Sequence, residues 1–159
     1  KRAALTTALY QEFNKTVFGA QLPPDMSVTW SKRLTKTAGR CFQEKRLVGG
    51  ATVYSARVEL SVKVVDDLAK LRNTLMHELC HAAQWLLNHT SRPPHGPEFR
   101  HWGRRAEEAY PDIVCQTCHS YDIAYRFHWR CVRCGVRYGR HSRSINTETQ
   151  ACGGCGGRL

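Results

Sequence analysis

Two histidines and a glutamate, in the run His77-Glu78-Leu79-Cys80-His81, form the pattern in this sequence with the most definite chemistry. Residues four apart on a helix project from the same side, so His77 and His81 can bind one metal ion. Glu78 lies one step round the helix, where its carboxylate can reach a water on that metal without binding the metal itself. This arrangement is typical of zinc peptidases. The pattern therefore predicts a catalytic zinc with Glu78 as the general base.

A catalytic zinc needs a third protein ligand and keeps one position open for water. His95 is the favoured candidate, because the turn 94–97, with two prolines and a glycine, can fix one imidazole against the end of the preceding helix. His89 follows His81 too closely to fold back easily, and His101 lies within the next predicted helix. For an arrangement with a glutamate ligand, the candidates are Glu98, Glu107 and Glu108.

Four cysteines near the end of the chain form a second metal-binding pattern. Two Cys-x-x-Cys pairs separated by 17 residues have the spacing of a four-cysteine zinc ribbon. The four residues are Cys131, Cys134, Cys152 and Cys155. A closed site of this kind is structural, because it holds together a small β subdomain that lacks a core of its own. The sequence thus predicts one structural zinc and one catalytic zinc.

The other four cysteines have less definite roles. Cys115 and Cys118 form a third pair, which could bind a metal only with two further ligands. The candidates for those ligands are His119, His128 and His141. We expect no third metal at this pair. Cys41 and Cys80 stand alone and are expected to be buried apolar residues. Zinc-type spacing in place of a disulfide framework indicates a reducing compartment.

The cysteine-rich tail is also rich in arginine. Residues 125–130 alternate Tyr, Phe and Trp with arginine and histidine, so a strand here would carry aromatics on one face and cations on the other. Aromatics beside arginines are typical of proteins that bind single-stranded nucleic acid. We interpret the aromatic face as the core of the ribbon and the arginines as the candidate DNA contacts. These arginines are Arg126, Arg130, Arg133, Arg137, Arg140 and Arg143.

The chain of 159 residues suits one domain with a small appendage, and its net charge is +11. Residues 1–65 carry a net +7, residues 66–110 are neutral, and residues 111–159 carry +4. Basic stretches favour a polyanionic partner, although charge alone fits a solvated basic surface equally well. No apolar run is long enough to span a bilayer, and there is no secretory signal. Because the first residue is Lys1, we interpret the chain as a piece of a longer protein.

The elements that must position these residues follow from periodicity and from turn residues. Helices are predicted over 3–18, 66–87 and 97–110. Short strands are predicted at 28–30, 39–42, 51–54 and 57–62, with a turn at Gly49-Gly50, and are expected to form a small antiparallel sheet. The strand 57–62 could offer a free edge to an extended substrate. Composition changes at Pro111, which predicts an α+β core over 1–110 and a zinc-ribbon β subdomain over 111–159.

The run Thr74–Ala82, together with His95–Phe99 and Trp102, resembles the SprT-like metallopeptidases. Upstream segments match the same family: Phe13-Asn14, Val17-Phe18, Leu22-Pro23, Trp30-Ser31, Thr37-Ala38-Gly39 and Val58-Glu59-Leu60-Ser61. The resemblance covers nearly the whole chain. Within the family, the tail Tyr138–Ser144, ahead of the final cysteine pair, is most similar to the germ cell nuclear acidic protein branch.

The resemblance implies a zincin-like minimal metallopeptidase core, with His77, His81 and His95 as zinc ligands and Glu78 as the base. Spartan-like peptidases of this family digest proteins covalently trapped on DNA, and DNA binding activates them. The expected partners are therefore single-stranded or junction-containing DNA and DNA-crosslinked proteins, in the nucleus on chromatin. No membrane partner is expected, and the chain is expected to act as a monomer.

The sequence also allows two other functions. The chain could be a catalytically silent zinc- and DNA-binding module that recruits partners to chromatin, but neither zinc nor DNA binding requires Glu78. It could also use its catalytic zinc for peptide deformylation, which the basic surface and the cysteine-rich tail fit poorly.

Overall fold

The structure is a computed structural model, and it describes residues 1–115 and 123–159. The chain forms two compact units, Lys1–Tyr121 and Asp122–Leu159. Within the described ranges, no helix combines the length and apolar character that crossing a membrane would require.

The first unit extends past the predicted boundary at Pro111. The side chains of Ile113 and Cys115 are buried. The backbone N–H of Val114 donates to Asn73 Oδ1 at 3.2 Å, and that of Cys115 donates to Glu107 Oε1 at 2.9 Å. These contacts attach the start of the cysteine-rich tail to the first unit, which composition alone does not reveal.

Three helices form where the sequence predicts them: α1 (Arg2–Thr16), α2 (Leu68–Asn88) and α3 (Pro97–Ala109). Helix α2 begins after Asp67, whose side chain accepts a hydrogen bond from the backbone N–H of Lys70 at 2.7 Å. A carboxylate at this position satisfies a backbone donor and suits the helix dipole.

The strands are longer than predicted: β1 (Val28–Ser31), β2 (Gly39–Val48) and β3 (Ala51–Ser61). Strands β2 and β3 form one continuous antiparallel hairpin around Gly49 and Gly50, whose φ angles are positive. The polar residues 43–46 carry no alternation that would reveal a strand, because this part of the hairpin is largely exposed on both faces.

The sheet has the order β1-β3-β2, and β1 pairs with β3 in parallel. The expected antiparallel sheet is therefore mixed. Strand β3 is central, so the prediction that 57–62 offers a free edge is wrong, because β1 and β2 pair with both of its sides. Among the described residues, the two outer strands, β1 and β2, each have an edge without a strand partner.

Helix α2 is held on the inner face of this sheet. Val58 and Leu60 of β3 are fully buried, as are Leu75 and Leu79 of α2. Trp85, further along α2, donates its indole N–H to the backbone carbonyls of the hairpin, Glu44 O and Ser55 O, both at 3.0 Å. Apolar burial and these hydrogen bonds together fix the position of α2 against the strands.

The second unit contains β4 (Phe127–Arg130) and β5 (Arg137–Arg140), which pair antiparallel, with an isolated bridge between Ala151 and Arg158. As the alternation predicts, the aromatic side chains of 125–130 are half-buried, and the arginine and histidine side chains are exposed. Together with the first unit, this ribbon-bearing unit gives the predicted α+β class.

Candidate metal centres

The structure brings His77, His81 and His95 together. The Nε2 atom of His77 lies 3.0 Å from that of His81, one turn further along α2, and 3.3 Å from that of His95. A tetrahedral zinc with bonds of about 2.0–2.1 Å holds its nitrogen ligands about 3.3 Å apart. The three imidazoles therefore fit a zinc ion that keeps a fourth position for water.

Burial and packing support this role. His77 is only 2% exposed, while His81 and His95 are half-buried, so the cluster opens toward solvent on one side. Burial, and next the charge of Arg100, lower the pKa of His95, which favours the neutral imidazole that binds metals. Phe99 of α3 packs against all three rings, with centroid distances of 4.6–4.9 Å. Sequence reasoning used Phe99 only as part of the segment His95–Phe99 and missed this contact.

Glu78 lies beneath the first residues of β2. Its side chain is 4% exposed, and the backbone N–H of Cys41 donates a hydrogen bond to it. Burial raises the pKa of Glu78 to about 7, and the hydrogen bond from Cys41 partly offsets this effect. A carboxyl group with a pKa near neutrality is well matched to accept and return a proton.

Gly39 allows β2 to lie this close to Glu78. A Cβ at position 39 would lie 2.9 Å from Glu78 Cγ and 3.2 Å from its Oε1. Only glycine avoids that overlap without a shift of its neighbours. Sequence reasoning did not assign Gly39 to the site, because nothing in the sequence indicates that it lies beside a residue 39 positions away.

The other candidate ligands lie elsewhere. His89 stacks on Tyr54 at 4.0 Å, and His101 packs against Trp102 at 5.1 Å. Glu107 accepts the hydrogen bond from the Cys115 backbone. In the described ranges, Glu98 and Glu108 also fall outside both groups of potential metal ligands.

Cys131, Cys134, Cys152 and Cys155 form the second group. The Sγ atoms of Cys131 and Cys155 are 3.5 Å apart, and those of Cys134 and Cys152 are 3.6 Å apart. A tetrahedral zinc with bonds of about 2.3 Å separates its sulfurs by about 3.8 Å. Four thiolates at this spacing fit a closed structural zinc site.

Tyr138 supports one of these thiolates. Its hydroxyl lies 3.0 Å from Cys152 Sγ and accepts a hydrogen bond from the backbone N–H of Gly153, also at 3.0 Å. The hydrogen bond from Tyr138 is the largest cause that lowers the pKa of Cys152, to about 6. The thiolate is the form that binds metal. Sequence reasoning missed this role, because it used Tyr138 only as part of the segment Tyr138–Ser144.

The remaining cysteine predictions have mixed outcomes. Cys80 is fully buried, as predicted, and its Sγ lies 3.6 Å from that of Cys115, whereas Cys41 is only half-buried. Cys118 and His119 lie outside the described residues. His128 and His141 belong to neither ligand group, and both rings pack against Tyr125.

Five of the six predicted DNA-contacting arginines are exposed, and Arg140 is half-buried. Arg126 and Arg143 lie over the ring of Phe127, each with its guanidinium carbon 5.4 Å from the ring centroid. Their charges remain accessible to solvent, so this part of the ribbon can bind an anionic ligand beside an aromatic ring.

Comparison with known proteins shows two family matches. The model of the SprT-like family matches residues 6–119, and that of the SprT-like zinc ribbon domain matches residues 125–159. No solved structure is similar enough to the chain to count as a match.

Curated relatives include the germ cell nuclear acidic protein of Drosophila melanogaster, 40% identical over 98% of this chain and 14% of its own length. The human germ cell nuclear acidic protein is 32% identical over 98% of this chain and 22% of its own length. The human DNA-dependent metalloprotease SPRTN is 35% identical over 91% of this chain and 30% of its own length. The chain thus spans less than a third of each of these relatives.

Proposed function

The chain belongs to the SprT-like family, and from that premise we propose that it is a zinc-dependent endopeptidase that cleaves proteins covalently crosslinked to DNA. The observation that carries this proposal is the convergence of three imidazoles, with the Nε2 atom of His77 3.0 Å from that of His81 and 3.3 Å from that of His95, at the helix that also carries the buried Glu78. A relative that is 35% identical is a DNA-dependent metalloprotease, which supports the same activity here.

His77, His81 and His95 would hold the catalytic zinc through their Nε2 atoms. Zinc bound there supplies Lewis-acid activation of a water and of the scissile carbonyl. The carboxylate of Glu78 would take a proton from the attacking water as the water oxygen bonds to the carbonyl carbon. Glu78 would then deliver this proton to the amide nitrogen as the C–N bond breaks, which releases the amine and leaves a carboxylate.

The position of Glu78 suits this proton transfer. The β2 backbone covers the carboxylate at Gly39 and donates to it from Cys41, so its orientation is set before substrate arrives. Glu78 follows His77 in the sequence, so on α2 its side chain projects from a face adjacent to that of His77. The free edge of β2 begins at Gly39, beside Glu78, and an extended peptide could pair with this edge as an added strand.

DNA binding is assigned to the second unit. Its structural zinc would be held by Cys131, Cys134, Cys152 and Cys155. The predicted arginines would bind phosphates of single-stranded or junction-containing DNA, with Phe127 available for stacking on a base. We further propose that DNA activates cleavage and that the protein acts as a monomer on chromatin in the nucleus.

The decisive experiment compares the unmodified chain with Glu78→Gln, with and without single-stranded DNA. The substrate is a protein crosslinked to the same oligonucleotide. Glu78→Gln is expected to keep two zinc ions per chain and unchanged DNA affinity, but to lose cleavage by at least about 100-fold. Glu108→Gln, which makes the same charge change at an exposed position of α3, is the control and is expected to cleave normally.

One result of this experiment would refute the peptidase proposal. If the unmodified chain with zinc and DNA cleaves neither itself nor the crosslinked protein, the peptidase proposal is wrong. The silent zinc- and DNA-binding module would then be the better description.

A further inference from the structure

Gln84 is a fully buried polar side chain that the proposed chemistry does not use. It is 0% exposed and lies on α2, three residues after His81 and seven after His77. Positions 77, 81 and 84 lie on one face of a helix. Burying an amide costs free energy unless it forms hydrogen bonds, so its partners indicate what it does.

The side chain of Gln84 donates from Nε2 to the backbone carbonyl of Pro93 at 3.1 Å. The same carbonyl accepts the backbone N–H of Gly96 at 3.0 Å, which closes the turn containing His95. This turn is tight: a Cβ at position 96 would lie 2.8 Å from Pro93 Cγ. Gln84 therefore holds the turn that presents the third imidazole.

Gln84 also binds the start of the loop that joins α2 to α3. Its backbone carbonyl accepts the N–H of Thr90 at 3.2 Å and that of His89, the residue that ends α2. The loop between α2 and α3 is thus attached to Gln84 at two points, at Thr90 through the backbone and at Pro93 through the side chain. The loop is short, so its two attachment points set where His95 lies.

We propose that Gln84 is a positioning residue for the catalytic metal site, acting through His95. The inference rests on the proposed zinc site. Without the Nε2 donor, the Pro93 turn loses its hydrogen bond to α2, and the imidazole of His95 loses its fixed place beside His77. Outer partners of metal ligands typically change metal affinity by about 10- to 100-fold, and we expect a weakening of zinc binding in that range.

Gln84→Met tests this, because methionine has a similar length and no donor. Gln11→Met is the matched control: Gln11 Nε2 also donates to a proline carbonyl, Pro24 O, at 3.1 Å, but its side chain is exposed and lies on α1. Zinc transfer to a chelator is measured on the full chain, below the unfolding temperature of each variant. Gln84→Met should release the zinc at the histidine site about 10- to 100-fold more readily, while release of the ribbon zinc should not change. Gln11→Met should release both zinc ions as the unmodified chain does.

A double-variant cycle separates positioning from general loss of stability. If Gln84 acts through His95, Gln84→Met should weaken zinc binding little further once His95→Ala is present. Cobalt bound at the histidine site gives a second measurement, because Gln84→Met should shift its visible absorption bands toward those of His95→Ala.

The outcomes are distinguishable. The positioning role is wrong if the Gln84→Met variant binds zinc as tightly as the unmodified chain. It is also wrong if Gln84→Met weakens zinc binding equally in the presence of His95 and in the His95→Ala variant. Neither result would contradict the proposed zinc site itself. If the unmodified chain holds only the ribbon zinc, or His95→Ala keeps both ions at full affinity, the proposed catalytic site itself is wrong.

Discussion

Replacing Gly39 by alanine tests whether the contact between β2 and Glu78 controls the proposed catalysis. The new Cβ would lie 2.8 Å from Thr74 Cγ2 and 2.9 Å from Glu78 Cγ. Carbon atoms prefer about 3.5 Å or more, so the Glu78 side chain or the strand must move by about 0.6 Å. Thr74 and Glu78 are both buried on α2, which leaves little room for that movement.

The expected energies predict that Gly39→Ala loses activity but keeps its fold. Overpacking of this kind costs about 1–3 kcal/mol of stability, and the smaller freedom of alanine in the unfolded chain offsets about 0.4–1 kcal/mol. The fold should therefore survive. A displacement of about 1 Å in a catalytic group can reduce the rate by about 100-fold, so we expect kcat to fall by about 10- to 100-fold.

The assay measures cleavage of a DNA-crosslinked protein, together with zinc content and thermal unfolding. Gly39→Ala should keep both zinc ions, because the new methyl group meets Glu78 and Thr74 rather than a histidine. Gly103→Ala is the control, since its Cβ would lie 3.5 Å from Cys115 Sγ, an ordinary contact in the interior of α3. It should leave cleavage unchanged and stabilise the helix by about 0.5–1 kcal/mol. Normal cleavage by a folded Gly39→Ala variant, or loss of its histidine-site zinc, would refute the reasoning.

Two further predictions concern the ribbon. Tyr138→Phe removes the hydrogen bond to Cys152, so the ribbon zinc should pass to a chelator about 10- to 100-fold more readily. The histidine-site zinc should be unaffected. Equally increased release from both sites would contradict this role of Tyr138. A plot of the logarithm of the single-stranded DNA binding constant against the logarithm of salt concentration has a negative slope, and Arg126→Ala should reduce its magnitude by about 0.7. Arg158→Ala, outside the predicted set, should leave this slope unchanged. Identical slopes for these two variants would remove Arg126 from the DNA contacts.

Relations between residues close in sequence could be predicted well. The spacing of His77 and His81 on α2 follows from helix periodicity, and the cap at Asp67 follows from its side chain. The Cys-x-x-Cys pairs and the Gly49-Gly50 turn are local in the same sense. In each case the backbone geometry of a few residues determines the arrangement, so the sequence contains all of the necessary information.

Relations across the fold required the tertiary structure. The sequence favours His95 as the third ligand, but only the packed loop shows that Gln84 holds its turn. The parallel pairing of β1 with β3, and the position of Gly39 against Glu78, join residues about 30 to 40 positions apart. Such contacts depend on how buried surfaces fit together in three dimensions, and periodicity and spacing carry no information about that fit.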